Sequence, residues 1–471
     1  MSTRTYDVVV IGAGPAGENA ADYAAQSGLS VAIVEQQLVG GECSYWGCMP
    51  SKALLRPTEA LAAARRVPAA APAVTGEVDV EAVLSSRNAF TANWDDAAQV
   101  SWLESAGVDL VRGHGRLAGQ RRVEVTTDDG HTIHLDARRG VVVGIGTRAA
   151  IPPVEGLADI DAWDNRDITE AKVIPARLVV LGGGVIGVEM AQAIRRLGAD
   201  EVTIVEMEAH LLSQEEPFAG EEVGAALRDE GIEVLTSASA VRAEREGTDG
   251  PVTLTLDDGR TVVGDELLVA TGRRAPTSDL GLETVGVEPG RGGFLDVDDR
   301  LRVGGHDWLY AVGDVNGRAL LTHHGKYQAR LVGDALAGVE VDPAWADERA
   351  VVRVVFTDPQ VAAVGLTEAK ARQAGLDPLV VTHDVGSTAG GALTGKGTAG
   401  TAQLLIDRQR RVIIGATFVG PGVGEMIHAA TVAIVGEVPL ERLWHAVPAF
   451  PTVSEVWLRL LEAVRAHDLA G

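Results

Sequence analysis

The chain has 471 residues, too many for one hydrophobic core and enough for about three domains. Apolar residues make up 46% and charged residues 23%, the balance of a globular protein and not of a disordered or fibrous one. Asp and Glu outnumber Lys and Arg by 66 to 41, and this net charge of −25, with no basic stripe against it, excludes nucleic acid and anionic lipid as partners.

In chain order, Tyr6–Ile11 is expected to form a buried strand, beginning too early to leave room for a signal peptide. Gly12-Ala13-Gly14-Pro15-Ala16-Gly17 follows at once, then a helix over about Glu18–Ser27 and a strand over Ser30–Val34 that ends at Glu35. This is G-x-G-x-x-G in a strand–turn–helix setting. Gly12 makes the tight turn, Gly14 lets a pyrophosphate reach the backbone, and Gly17 allows close helix–strand packing. The helix N-terminus offers N–H donors to phosphate, and Glu35 stands where a carboxylate accepts from ribose hydroxyls.

The chain's only 2 cysteines come next, in Gly40-Gly41-Glu42-Cys43-Ser44-Tyr45-Trp46-Gly47-Cys48-Met49-Pro50-Ser51-Lys52. Two cysteines are usually just small buried apolar residues. Bordered by Gly41 and Pro50, at the mouth of a dinucleotide fold, Cys43 and Cys48 point instead to a dithiol that exchanges electrons with the cofactor.

The nucleotide pattern recurs farther on. Arg177–Leu181 is a strand, Gly182-Gly183-Gly184-Val185-Ile186-Gly187 a turn, and a helix runs to about Leu197 before the strand Glu201–Val205 ends at Glu206. Gly182, Gly184 and Gly187 repeat the roles of the first turn. Two turns imply two nucleotides, and the dithiol suggests FAD at one and a nicotinamide at the other; the alternative is that one copy is purely structural. Glu206 favours NAD(H) over NADP, because a carboxylate bonds the ribose 2′-OH and repels a 2′-phosphate. No metal-ligand set is expected. No apolar run of roughly 18 residues occurs, so membrane insertion is not expected, and the expected compartment is the cytoplasm.

These motifs resemble the pyridine nucleotide–disulfide oxidoreductases, the class I flavoprotein disulfide reductases that include dihydrolipoamide dehydrogenase, glutathione reductase and mercuric reductase. Further segments carry the resemblance. Gly144-Ile145-Gly146-Thr147 and Ala270-Thr271-Gly272-Arg273-Arg274 look like the family's two ATG-type motifs, and Tyr310-Ala311-Val312-Gly313-Asp314 like its second flavin motif. Val355-Phe356-Thr357-Asp358-Pro359 and Val364-Gly365-Leu366-Thr367-Glu368 look like the opening of its interface domain. The implied fold is α/β: two Rossmann-like domains, one for FAD and one for NAD, and a C-terminal α/β dimerisation domain. The implied limits are 1–148 and 273–345 for FAD, 149–272 for NAD and 346–471 for dimerisation into a homodimer.

The resemblance implies roles as well. A hydride would pass from NADH to FAD and two electrons on to the Cys43–Cys48 disulfide, with Cys48 the thiolate nearer the flavin and Cys43 the thiol that meets substrate. Lys52 would pair with Glu189 near the flavin, although such a pair can equally be structural. Asp314 would bond the ribityl chain, Gly115 would let the backbone approach the adenine, and the helix opening at Thr322-His323-His324 would face the flavin's pyrimidine end, with His323 structural.

One departure bears on the substrate. The family carries His-Pro-Thr followed by Ser-Glu near its C-terminus, the histidine acting as acid/base with the glutamate holding it. Here Ala449-Phe450-Pro451-Thr452-Val453-Ser454-Glu455 keeps Glu455 but places Phe450 at the histidine position, with His445 the nearest alternative. Tyr45 and Trp46, bulky for the intercysteine loop, either narrow the pocket, offer a stacking surface for an aromatic acceptor or fill a gap in the dimer core. Three readings stand: a disulfide reductase like dihydrolipoamide dehydrogenase, a reductase of quinones, metal ions or other small oxidants, and a non-enzymatic redox sensor.

Overall fold

The computed structural model describes residues 2–470, and they fall into two compact units. The first holds the chain up to Pro50 with Arg87–Ala150 and Arg273–Glu348; the second holds Ser51–Ser86, Ile151–Gly272 and the chain from Arg349 on. Residues 51–86, read from sequence as part of the FAD-binding segment, pack in the second unit.

The first unit is built on a seven-stranded sheet. Its order is Val108–Arg112, Val31–Glu35, Ser2–Ile11, Thr132–Val143, Arg122–Thr126 and His114–Leu117, with Leu309–Ala311 pairing parallel to the last residues of Thr132–Val143. The Val-rich run of the first strand is buried on both faces, as central parallel strands are. Val8 and Val10 point into one core with Ala20, Ala24 and Val332. Val9 and Ile11 point into the opposite core with Val125 and Val141. The first helix spans Pro15–Gln26, starting earlier than its sequence pattern suggests, because Pro15 has no N–H to lose at the first helical position and its fixed φ suits a helix.

The second unit contains a parallel sheet ordered Glu233–Leu235, Glu201–Val205, Arg177–Leu181, Glu266–Val269, with a three-stranded antiparallel sheet inserted in sequence between Glu233–Leu235 and Glu266–Val269. Its C-terminal part is a five-stranded antiparallel sheet ordered Val352–Val355, Gln360–Gly365, Val412–Gly420, Thr401–Asp407, Pro378–Asp384. Helix Val185–Arg196 buries Val188, Met190, Ala191 and Ile194 against Leu178, Val180 and Ile204, so the turn before it is held rigidly. Among the described residues, no helix is long and apolar enough to cross a membrane.

Candidate functional site

The two glycine turns have the same internal logic. A Cβ on Gly12, at φ +96°, would lie 2.6 Å from the carbonyl oxygen of Gly144, and one on Gly17 would lie 1.9 Å from that of Gly12. Gly14 faces nothing within 4 Å. The outer glycines are thus required by packing, while the middle one opens a cradle at the N-terminus of helix Pro15–Gln26, as a pyrophosphate needs. In the second unit Gly182 and Gly187 are equally closed and Gly184 equally open. Both acids brace their turns: Glu35 accepts from the Ala13 and Gln37 N–H groups at 2.7 and 2.6 Å, and Glu206 from those of Gly183 and Glu208 at 2.6 and 2.8 Å. These residues fit a dinucleotide at each turn. Bracing by backbone leaves each carboxylate spare lone pairs for ribose hydroxyls.

Asp314 is gathered into a chain that sequence reading only half anticipated. The Thr147 hydroxyl donates to its carboxylate at 2.7 Å, and Arg273 Nε donates to the same hydroxyl oxygen at 2.7 Å. Burial pushes the Asp314 carboxyl upward, against the pull of the Thr147 hydrogen bond and the Arg273 charge. Arg273 was missed; its place directly after Gly272 in the second ATG-type motif was the available signal. Gly146 (φ +67°) and Gly272 (φ +141°) both sit in left-handed backbone with open space beside them.

Gly41, at φ +55°, touches the first turn, since a Cβ there would lie 2.8 Å from Gly14 Cα. The short helix Gly41–Tyr45 carries Cys43, and Cys48 opens the helix Cys48–Arg66. Neither cysteine is in a disulfide, and Cys48 is the more exposed. The Cys43 thiol is pushed strongly upward, first by its hydrogen bond with Cys48, then by burial and the negative charge of Cys48, while Thr322 and Lys326 pull the other way. Cys48 is thus the neighbour that does most to keep the proton on Cys43. Its sulfur lies 3.4 Å from the Thr322 hydroxyl, where helix Thr322–Ala337 begins with no side-chain cap. Two helix N-termini thus meet at one sulfur, and each favours the thiolate. His323 is exposed, whereas His324 is buried against Asp347 at 3.0 Å.

In the second unit, Lys52 donates to Glu189 at 2.7 Å and lies 4.9 Å from the ring centre of Phe356. Glu455 is buried but is not paired with a histidine: it accepts from Arg459 at 2.6 Å and from the Ala389 N–H at 3.2 Å. Phe450 is 75% exposed.

One alternative for Tyr45 and Trp46 falls away, and Gly115 has a packing role as well. Tyr45 and Trp46 present no stacking surface, because both are buried: the Tyr45 hydroxyl donates to the Val39 carbonyl at 3.2 Å and Trp94 Nε1 to the Tyr45 carbonyl at 3.2 Å. They fill the interior of the first unit. At Gly115 a Cβ would lie 2.9 Å from Val34 and 3.2 Å from Ile11, so strand packing alone already demands glycine there. Among the described residues, no group of three or more His, Cys, Asp or Glu is placed to hold a metal ion.

Comparison with known proteins places this arrangement. Residues 6–329 match the pyridine nucleotide-disulphide oxidoreductase family and residues 351–461 its dimerisation domain, and the chain belongs to that family. It is an FAD-dependent oxidoreductase that works with a pyridine nucleotide. A mercuric reductase of Streptomyces lividans is 34% identical, covering 99% of this chain and 97% of its own. A dihydrolipoyl dehydrogenase of Thermus scotoductus is 33% identical over 99% of both. Among solved structures, the copper(II) complex of the HOCl-induced flavoprotein disulfide reductase RclA from Escherichia coli superposes with a TM-score of 0.85 at 25% identity, covering 98% of this chain and all of that one. LpdA from Mycobacterium tuberculosis gives 0.85 at 27%, with the same coverage.

Proposed function

We propose that this enzyme passes electrons from NADH through FAD and the Cys43–Cys48 pair to a small thiophilic oxidant, a metal ion such as Cu(II), in preference to a bulky disulfide. What bound flavin supplies is acceptance of a hydride from the nicotinamide and delivery of two electrons to the thiol pair. In the outward step Cys43–SH and Cys48–S⁻ lose two electrons and one proton, the S–S bond forms, and two Cu(II) become two Cu(I). Soft thiolate ligands favour Cu(I), which assists the transfer.

The observation that carries this reading is the state of Glu455. Its carboxylate is held by Arg459 and Ala389, and Phe450 stands where a proton-carrying histidine would be required. Reduction of a disulfide needs protons delivered to departing thiolates, help worth about 10²–10⁴-fold. Reduction of a metal ion needs none. The copper(II) complex of RclA supports the same acceptor class. Disulfide reduction is the second reading, favoured by the full-length similarity to dihydrolipoyl dehydrogenases.

The roles follow the same proposal. Cys48 faces the flavin and Cys43 the oxidant; Lys52 and Glu189 tune the flavin; Gly12, Gly14, Gly17, Glu35, Gly41, Gly115, Gly146, Thr147, Asp314, Thr322 and His323 line the FAD site. Gly182, Gly184, Gly187, Glu206 and Gly272 line the NAD site, and Glu206 selects NADH. The three-domain partition, the homodimer and a cytoplasmic location belong to this reading too. The exposed Val432, Val435 and Val447 of the C-terminal segment support self-association.

The test is steady-state NADH and NADPH oxidation by FAD-loaded protein with Cu(II), a soluble quinone and lipoamide as parallel acceptors. Copper turnover well above lipoamide turnover is expected. Brisk lipoamide turnover with none on copper would establish the disulfide reading instead.

A further inference from the structure

One buried polar cluster of the first unit lies outside the roles assigned so far. Asp347, from the short helix Ala346–Arg349, has a fully buried side chain. His324 Nδ1 lies 3.0 Å from one of its carboxylate oxygens, and Gln328 Nε2 donates to the other at 2.8 Å. Gln328 is fully buried too, and its Oε1 accepts from the Gly313 N–H at 2.7 Å and from Asn316 Nδ2 at 2.8 Å. The direction of this chain is forced. The Gly313 N–H can only donate, so the Gln328 carbonyl must face it and the Gln328 NH₂ must face Asp347. Both ends belong to segments already placed at the site. Gly313 precedes Asp314, which accepts from the Thr147 hydroxyl at 2.7 Å, and His324 lies two residues beyond Thr322, which touches Cys48 at 3.4 Å. The two segments also meet directly: a Cβ on Gly325 would lie 3.2 Å from Gly313 Cα and 3.1 Å from Ala16 Cβ of helix Pro15–Gln26.

We propose that Gln328, anchored by Asp347, is a positioning residue of the redox site. It fastens the turn Gly313–Asn316 to helix Thr322–Ala337, so that Asp314 is presented to FAD and Thr322 to Cys48 in one fixed arrangement. The proposal rests on Asp314 lying at the FAD site, and it does not depend on which oxidant is reduced.

The physical reason is that polar groups removed from water must be paired. Gln328 supplies the acceptor for the buried Gly313 N–H, and freeing that N–H lets the turn shift away from the helix to find another. His324 and Gln328 lie one helical turn apart and both meet Asp347, so the helix is pinned over its first two turns, the part whose N-terminus faces the Cys48 sulfur. Volume alone does not account for the side chain. An apolar residue could fill the place of Gln328, but it would take the acceptor from Gly313 and a donor from the Asp347 carboxylate together.

The test compares Gln328→Met, which keeps the length and loses both bonds, with the double variant Gln328→Glu, Asp347→Asn. In the double variant the new carboxylate accepts from Gly313 and from the new amide, whose carbonyl accepts from His324, so each bond is kept while the charge moves one side chain along. Two quantities are read on FAD-loaded protein. One is the FAD dissociation constant from flavin fluorescence; the other is the pH inflection of Cys48 alkylation by iodoacetamide after reduction with dithiothreitol, resolved from Cys43 by peptide mass. Gln328→Met should weaken FAD binding by about tenfold and move the Cys48 inflection up by about half a pH unit, and the double variant should recover both. A lower Tm with both quantities unchanged would make Gln328 a packing residue and overturn the proposal, as would a double variant no better than Gln328→Met. Asp314→Ala separates the two conclusions. If it leaves FAD binding intact, the placement of FAD at Asp314 falls and the proposal with it; if it releases FAD while Gln328→Met does not, the positioning role alone falls. Should Gln328→Met not fold, deuterium exchange of the wild-type holoenzyme decides: the Gly313 amide should exchange as slowly as those of strand Thr132–Val143, and fast exchange overturns the proposal.

Discussion

Glu189 answers two donors at once: Lys52 Nζ at 2.7 Å on one carboxylate oxygen and the Phe356 N–H at 2.9 Å on the other. The partners are unequal, for Glu189 is 3% exposed and Lys52 33%. Lys52→Met leaves a buried carboxylate without its counter-charge, whereas Glu189→Gln keeps an acceptor for Phe356 and a lysine able to turn to water. Breaking a fully buried pair costs about 3–5 kcal/mol, and the exposure of Lys52 reduces that to about 2 kcal/mol. Urea unfolding should find Lys52→Met clearly less stable than Glu189→Gln; the reverse order would show that the pair is solvated.

The thiol pair makes its own prediction. Since Cys48 raises Cys43 by hydrogen bond and by charge, Cys48→Ser should lower the Cys43 pKa. Thiolate absorbance at 240 nm or so, followed against pH, reads this directly. A Cys43 pKa that stays put or rises would mean that burial, and not Cys48, holds its proton.

Glu18 of helix Pro15–Gln26 couples pH to stability. Its folded-state pKa, about 6, exceeds the ordinary 4.5, so the folded state holds the proton longer than the unfolded chain does. Stability is full below 4.5, is lost as pH rises through about 6, and stays reduced above it. Glu18→Gln should therefore raise Tm relative to the wild type at pH 7.5 and not at pH 4. An equal change at both pH values would place Glu18 in water.

Near the C-terminus, Phe450→His alone should add little lipoamide reduction, because Glu455 is already held by Arg459 at 2.6 Å. Adding Arg459→Leu frees the carboxylate to orient an imidazole, and the double variant should exceed Phe450→His by about tenfold. Equal rates for the single and double variants would show that Glu455 does not limit the histidine.

Much of this site is legible without coordinates. Gly12, Gly17, Gly182 and Gly187 could be read because each answers a requirement met within a few residues, namely a positive φ or a helix closing on its own strand. The cysteines and the family motifs were legible for the same reason: spacing along the chain encodes local backbone geometry. What the spacing could not encode was the choice among distant partners. Glu455 takes Arg459 and Ala389, Arg273 is drawn to Thr147, and Tyr45 and Trp46 turn inward. Nor could it show that Gln328 links the buried Asp347 to the Gly313 N–H. Those outcomes depend on which segments pack together and which polar groups are then deprived of water. The sequence by itself determined the two nucleotide turns and the redox pair; only the tertiary structure decided where their protons and charges can go.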